Sequence, residues 1–117
     1  MNINDFQNLN FTFIGNHTNI QGDLSFQGNV VINGSIKGSL QMGPSSQLII
    51  ESSAHIEGDI FAHDIEVSGE VNGRIESSGT VIVKSSAIIS GSLNAVQFKI
   101  APGAILNIQG NTQEAKL

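Results

Sequence analysis

Glycine recurs along this chain in one fixed setting: an apolar residue, any residue, glycine, any residue, an apolar residue. The clearest copy is Ile56-Glu57-Gly58-Asp59-Ile60. Others are Ile20–Leu24, Ile36–Leu40, Val71–Ile75 and Ile89–Leu93, with a partial copy at Ile108-Gln109-Gly110. A second phrase, apolar-any-apolar, stands between the copies at Val30–Ile32, Leu48–Ile50, Ile65–Val67, Val81–Val83 and Phe98–Ile100. Each phrase returns about every 17 residues, the period of a solenoid in which one winding carries both. Alternate residues of a strand face the same side, and here the apolar residues keep one parity over long stretches. They are even-numbered from Ile14 to Ile60, odd from Ile65 to Leu93, and even again over Val96, Phe98, Ile100, Ala104, Leu106 and Ile108. A period of 3.6 fits nowhere. The pattern predicts short strands separated by bends, all of them burying the same side.

The unit is too short to hold a crossover helix between parallel strands. Successive windings must therefore stack directly, as an all-β parallel β-helix of about six windings spaced about 4.8 Å apart. The repeated glycine shares the parity of its apolar neighbours. It is expected on the inner side at a corner, where a side chain would strike the core. Met42-Gly43-Pro44-Ser45-Ser46 and Pro102-Gly103 read as turns. Aligning the phrases sets Lys37 beside Glu57 and Asp59 beside Arg74, opposite charges in neighbouring windings. The middle residues of the second phrase, Val31, Ile49, Glu66, Ile82 and Lys99, should point outward. Val31 and Ile49 adjoin, so Val31, Ile49 and Ile82 are the candidates for a lateral contact.

Composition narrows the function. Only 5% of residues are aromatic, and Ile, Val and Leu supply most of the apolar content, which suits a narrow core of stacked strands. The absence of cysteine excludes a disulfide framework, a thiolate metal site and a Cys nucleophile. There is no signal-peptide pattern and no apolar run long enough to span a bilayer, so the expected compartment is the cytoplasm. The formal charge is −5 and the five basic residues are scattered, which argues against nucleic acid as a partner. The acids concentrate between Glu51 and Glu76, without the spacing of a calcium loop.

His17, His55 and His63 raise an enzyme reading, because hexapeptide β-helices of similar winding length include acyltransferases and His-ligated metalloenzymes. The glycine phrase and the variable spacers break the hexapeptide phase. His17 lies far upstream of the other two, and no Ser/His/Asp set, phosphate loop or dinucleotide fingerprint is present. No catalytic residue, metal ligand or cofactor site is expected.

The two ends of such a rod carry the remaining signal. Residues 1–10 hold no repeat phrase and residues 111–117 follow the last one, so both are expected to be tails around a body of 11–110. No amphipathic helix is available as a lid. Phe11 and Phe13 open the first winding, and Phe98, Ile100, Ile105, Leu106 and Ile108 fall in the last. Uncapped apolar ends with free strand edges favour end-to-end self-association. The alternative is a monomeric binding module whose tails fold over the ends.

Several of these segments taken together resemble the bactofilin family: Thr12-Phe13-Ile14-Gly15, Thr18-x-Ile20-x-Gly22-Asp23-Leu24, Ile32-x-Gly34-x-Ile36-x-Gly38-x-Leu40, Ala54-x-Ile56-x-Gly58-Asp59-Ile60 and Val67-x-Gly69-x-Val71-x-Gly73-x-Ile75. The resemblance covers Phe11 to Gly110. It implies a right-handed, three-sided β-helix that polymerises without nucleotide, through its apolar ends, into non-polar filaments. It implies a cytoskeletal scaffold at the inner membrane, with cell-wall enzymes or inner-membrane proteins as partners. Many members carry an N-terminal membrane-targeting tail with Phe and Lys. Here the tail offers Ile3, Phe6 and Leu9 for such contact but has no Lys and contains Asp5. The long basic or proline-rich tails of other members are absent, so partners would dock on the body.

Overall fold

In a computed structural model that describes residues 11–43 and 45–112, thirteen short strands and no helix make up the regular structure among the described residues. Each winding contributes a four-residue strand and a longer one. The short strands β1 (Phe11–Ile14), β4 (Asn29–Ile32), β6 (Gln47–Ile50), β8 (Asp64–Val67), β10 (Thr80–Val83) and β12 (Gln97–Ile100) form one parallel sheet in that order. The long strands β5 (Ser35–Met42), β7 (His55–Ala62), β9 (Glu70–Ser77), β11 (Ile88–Ala95) and β13 (Ile105–Thr112) form the other. In the first winding the long strand is split around Gly22 into β2 (Asn19–Gln21) and β3 (Leu24–Phe26), which pair with the two halves of β5. The chain is thus a parallel β-solenoid of about six turns. Each winding has three sides: the short strand and the two halves of the long one. A crossover between parallel strands of one sheet is right-handed in nearly all cases, the hand the family resemblance implies.

The alternation seen in the sequence becomes the core. Val30, Ile32, Ile36, Leu40, Leu48, Ile50, Ile56, Ile60, Val71, Ile75, Ile89 and Leu93 are fully buried in one continuous stack. Each such side chain contributes about 1.5–3 kcal/mol by leaving water. Hydrogen bonds continue between windings around the corners. The N–H groups of Asn33, Glu51, Ser68, Lys84 and Ala101 donate to the carbonyls of Ile14, Ile32, Ile50, Val67 and Val83, at 2.7 to 2.9 Å. The expected charge columns are present: Lys37 Nζ lies 3.6 Å from Glu57 Oε2, and Arg74 Nη2 lies 3.6 Å from Asp59 Oδ2. These pairs are half-exposed and contribute about 0–1 kcal/mol each, so they mark register more than they stabilise it.

Four expectations need correction. The repeated glycines do not avoid a clash with the core. A Cβ on Gly58 would lie 1.7 Å from the carbonyl oxygen of Gly38, so the obstacle is the backbone of the preceding winding. The partial copy at the end is out of step, because the register sets Ile108 opposite Gly91, and Gly110 opposite Leu93. A residue with a Cβ therefore ends the glycine row. Val96, read as inward, is 41% exposed at the corner between β11 and β12. The last strand also runs past Gly110 to Thr112.

The glycine row makes a prediction. Gly58 and Gly22 both have positive φ, 140° and 128°, but a Cβ on Gly22 would meet nothing within 4 Å among the described residues. Gly22→Ala should cost only the backbone strain, roughly 1–2 kcal/mol, whereas Gly58→Ala should cost roughly 3–5 kcal/mol. Thermal unfolding followed by circular dichroism checks the difference, and equal losses would refute the close-approach argument.

Candidate assembly ends and lateral surface

Between its ends the wall of the rod is closed, because every interior strand is paired on both sides. The terminal strands are not. Among the described residues β1 pairs only with β4, β2 and β3 only with β5, β12 only with β10, and β13 only with β11. Each end therefore presents backbone donors and acceptors along a free edge. It also presents an unfinished core layer. In the first winding Ile20, Leu24 and Phe26 are half-buried, although Ile36 and Leu40, the partners of Ile20 and Leu24 in the next, are fully buried. At the other end Ile100, Ala104, Leu106 and Ile108 are half-buried against the core. The most exposed large apolar side chains among the described residues follow the same distribution. Phe13 stands at one end, and Ile88, Val96 and Ile105 stand in the last windings.

The residues named from sequence as end contacts occupy different environments. Phe13 is 59% exposed on the outer wall of β1, and Ile14 beside it faces the core. The side chain of Phe11 lies outside the described residues, as do Ile3, Phe6 and Leu9. Phe98 is 5% exposed and fills the core near the far end, so it backs that surface from within. Ile105 is 52% exposed, and it pairs with Ile88 at the end of a column that is polar through Ser35, His55 and Glu70. Sequence reasoning missed Ile88. The signal was available as an apolar residue in an otherwise polar column, but it required the register.

The outward residues of the short strands stack as Phe13, Val31, Ile49, Glu66, Ile82 and Lys99. Phe13, Val31 and Ile49 thus make a continuous apolar stripe that begins at the first winding. It stops at Glu66, whose carboxylate is 3.7 Å from Lys84 Nζ. Ile82 is separated from the stripe by Glu66. The histidines take unrelated partners. His55 Nδ1 is 3.1 Å from Glu70 Oε1, His63 Nδ1 is 3.1 Å from Ser78 Oγ, and the His17 backbone N–H donates to Asn16 Oδ1. Among the described residues no three His, Asp or Glu side chains gather as metal ligands would.

Comparison with known proteins agrees with this arrangement. The family model Bactofilin, described as polymer-forming cytoskeletal, matches residues 12–112. The bactofilin BacO of Myxococcus xanthus is 34% identical over 100 residues, spanning 86% of this chain and 76% of that protein. The structure of the cytoskeletal bactofilin BacA, determined by solid-state NMR, matches with a TM-score of 0.79 at 24% identity, covering 90% of this chain and 98% of that one. The Thermus thermophilus bactofilin, reconstructed by electron cryo-microscopy in double helical filaments, matches with a TM-score of 0.80 at 24% identity, covering 86% and 98%.

The contrast between Phe98 and Ile105 is measurable. Phe98→Ala should cost roughly 3–5 kcal/mol by leaving a cavity. Ile105→Ala should cost less than about 1 kcal/mol in the isolated subunit. Urea unfolding below the concentration at which subunits associate compares them. Equal losses would mean that Ile105 belongs to the core.

Proposed function

This chain belongs to the bactofilin family, and we propose that it is a structural subunit that assembles end to end, without nucleotide, into non-polar filaments. The observation that carries this reading is the contrast between a closed wall and two open ends. The ends combine free strand edges with half-buried apolar layers, and both are satisfied at once by a second copy laid against them. Phe11, Phe13, Ile20, Leu24 and Phe26 would supply one joint. Ile100, Ile105, Leu106 and Ile108 would supply the other, with Phe98 behind them. No step in such assembly calls for a cofactor or for catalysis.

In this reading the body of 11–112 is the assembling unit, and residues 1–10 and 113–117 flank it. The filament is a scaffold for cell-wall or cell-shape machinery on the cytoplasmic face of the inner membrane. Ile3, Phe6 and Leu9 make peripheral contact with the bilayer, and the absence of a basic residue among residues 1–10 leaves that contact to apolar insertion alone. The stripe of Phe13, Val31 and Ile49 serves lateral contact between filaments, with Ile82 as a separate point of contact.

Phe13→Arg and Ile105→Arg test the assembly. Both positions are exposed in the single subunit, so both variants should keep the circular dichroism spectrum of the parent. Negative-stain microscopy without nucleotide should show long filaments for the parent chain and none for either variant. In a non-polar filament one joint survives in each variant, so analytical ultracentrifugation should give dimers. Monomers in both would indicate polar assembly. Undiminished filaments in both, or a parent chain whose sedimentation coefficient does not change with concentration, would overturn the proposal.

A further inference from the structure

One corner of the rod is not filled like the others. Where the second half of each long strand ends, the last inward position is Phe26, Met42, Ala62, Ser77 and Ala95 in successive windings. The ladder between β5 and β7 stops at Gln41 and Phe61, so Met42 and Ala62 are not paired across it. From Met42 the chain leaves through the wide corner that returns to β6, closed where the Ser46 hydroxyl donates to the Gly43 carbonyl at 2.7 Å. Small side chains at Ala62 and Ser77 lie beside this corner. The result is a groove of about 300 Å³ lined by Met42, Phe61, Ala62, Glu76, Ser77 and Ser78, among others.

Its wall carries a residue that the sheet does not require. The outward column through Phe61 is otherwise polar: Ser25, Gln41, Glu76 and Asn94. Phe61 places a half-exposed ring in the middle of the rod, away from both ends. The Arg74 guanidinium stands 5.7 Å from the ring centroid. It is held between Asp59, at 3.6 Å, and Glu76, at 3.7 Å. Two carboxylates against one guanidinium leave this cluster net negative, and Glu76 is its member that lines the groove. This excess continues around the neighbouring windings, which carry most of the chain's acids. On the far rim Ser78 Oγ is already paired with His63 Nδ1, and Ser77 Oγ accepts from the Gly79 N–H. Selectivity is left to the apolar floor and to Glu76.

We propose that this groove is a docking site for a short extended peptide segment of a partner protein, with an apolar anchor side chain flanked by Lys or Arg. The anchor lies over Met42 and Ala62 against the Phe61 ring. The flanking cation pairs with Glu76, in exchange for Arg74. The groove lies at the lower limit of ligand-site volumes, which suits one anchor residue and weak affinity. The acidic surroundings steer a basic segment toward it. The groove is complete within one subunit and does not depend on assembly. If subunits polymerise, it recurs along the filament, and weak single contacts become avid for a partner with several such segments.

The test uses the full chain and a fluorescein-labelled peptide, Gly-Lys-Leu-Lys-Gly, with Gly-Glu-Leu-Glu-Gly and Gly-Lys-Ser-Lys-Gly as comparisons, read by fluorescence anisotropy at low ionic strength. Only the first should bind the parent chain measurably, and added salt should weaken it. Phe61→Ala, Glu76→Lys and Gln41→Trp, the last filling the groove from an exposed position, should each weaken it by roughly tenfold or more. Glu76→Lys should favour the acidic peptide instead. The same measurements in Ile105→Arg, which blocks an end and not the groove, should match the parent. Absence of binding by the parent, equal binding of acidic and basic peptides, or unchanged affinity in all three groove variants would overturn the proposal.

Discussion

The constraint that everything else obeys is the close approach of backbone to backbone along the glycine row. At Gly38, Gly58, Gly73 and Gly91 a Cβ would fall 1.7 to 2.0 Å from the carbonyl oxygen of the equivalent glycine one winding earlier. Those four also share φ values between 128° and 141°, a region that residues with side chains rarely enter. One residue type thus satisfies two demands, the bend in the long strand and the tight stacking beside it. Because the row is continuous, the windings are held in register: Gly38 faces Gly58, Gly58 faces Gly73, and Gly73 faces Gly91. Register then dictates which side chains share a column. The salt bridges, the apolar stripe and the groove all follow from it.

Where the row ends, so does the regular winding. Gly22 begins it, with no described residue where a preceding winding would be, and Ile108 occupies the position after Gly91. The last strand is therefore unlike those beneath it. It places Ile108 where the others bend and Gly110 where the others bury a leucine or isoleucine. The two ends of the rod are thus chemically distinct surfaces on one chain.

Much of this was legible in the sequence because a two-residue alternation and a fixed glycine phrase translate directly into position. The parity of Val30, Ile56 or Ile89 was enough to place each in the core, and spacing alone set Lys37 beside Glu57 and Asp59 beside Arg74. What escaped depended on corners. Val96 has inward parity, but parity has meaning only inside a strand, and it sits between two. Gly110 fitted the phrase, yet hydrogen-bonded register moved it two places along the column. Phe98 was placed by parity among the inward residues and by position in the last winding; the structure buries it in the core against which Ala104, Leu106 and Ile108 pack, behind the end surface rather than on it. Phe61 escaped for a different reason. An aromatic at an outward position breaks no local rule, and it becomes conspicuous only when its column neighbours are known to be polar.

A parallel solenoid uses nearly all of its backbone hydrogen bonding on itself, and this decides how it can interact. Along the wall nothing can add a strand, so recognition there must rest on side chains standing above a flat, mostly polar surface. Such contacts are small and individually weak. At the ends the reverse holds, because among the described residues edge amides and carbonyls stand unpaired beside a half-buried apolar layer. Strong contacts therefore belong on the axis and weak ones on the flank. An assembly built this way fixes its own geometry first, and it then multiplies weak lateral sites at the subunit spacing. In the assembly proposed above, affinity for a partner would be set by how many subunits are joined as much as by the chemistry of any one site.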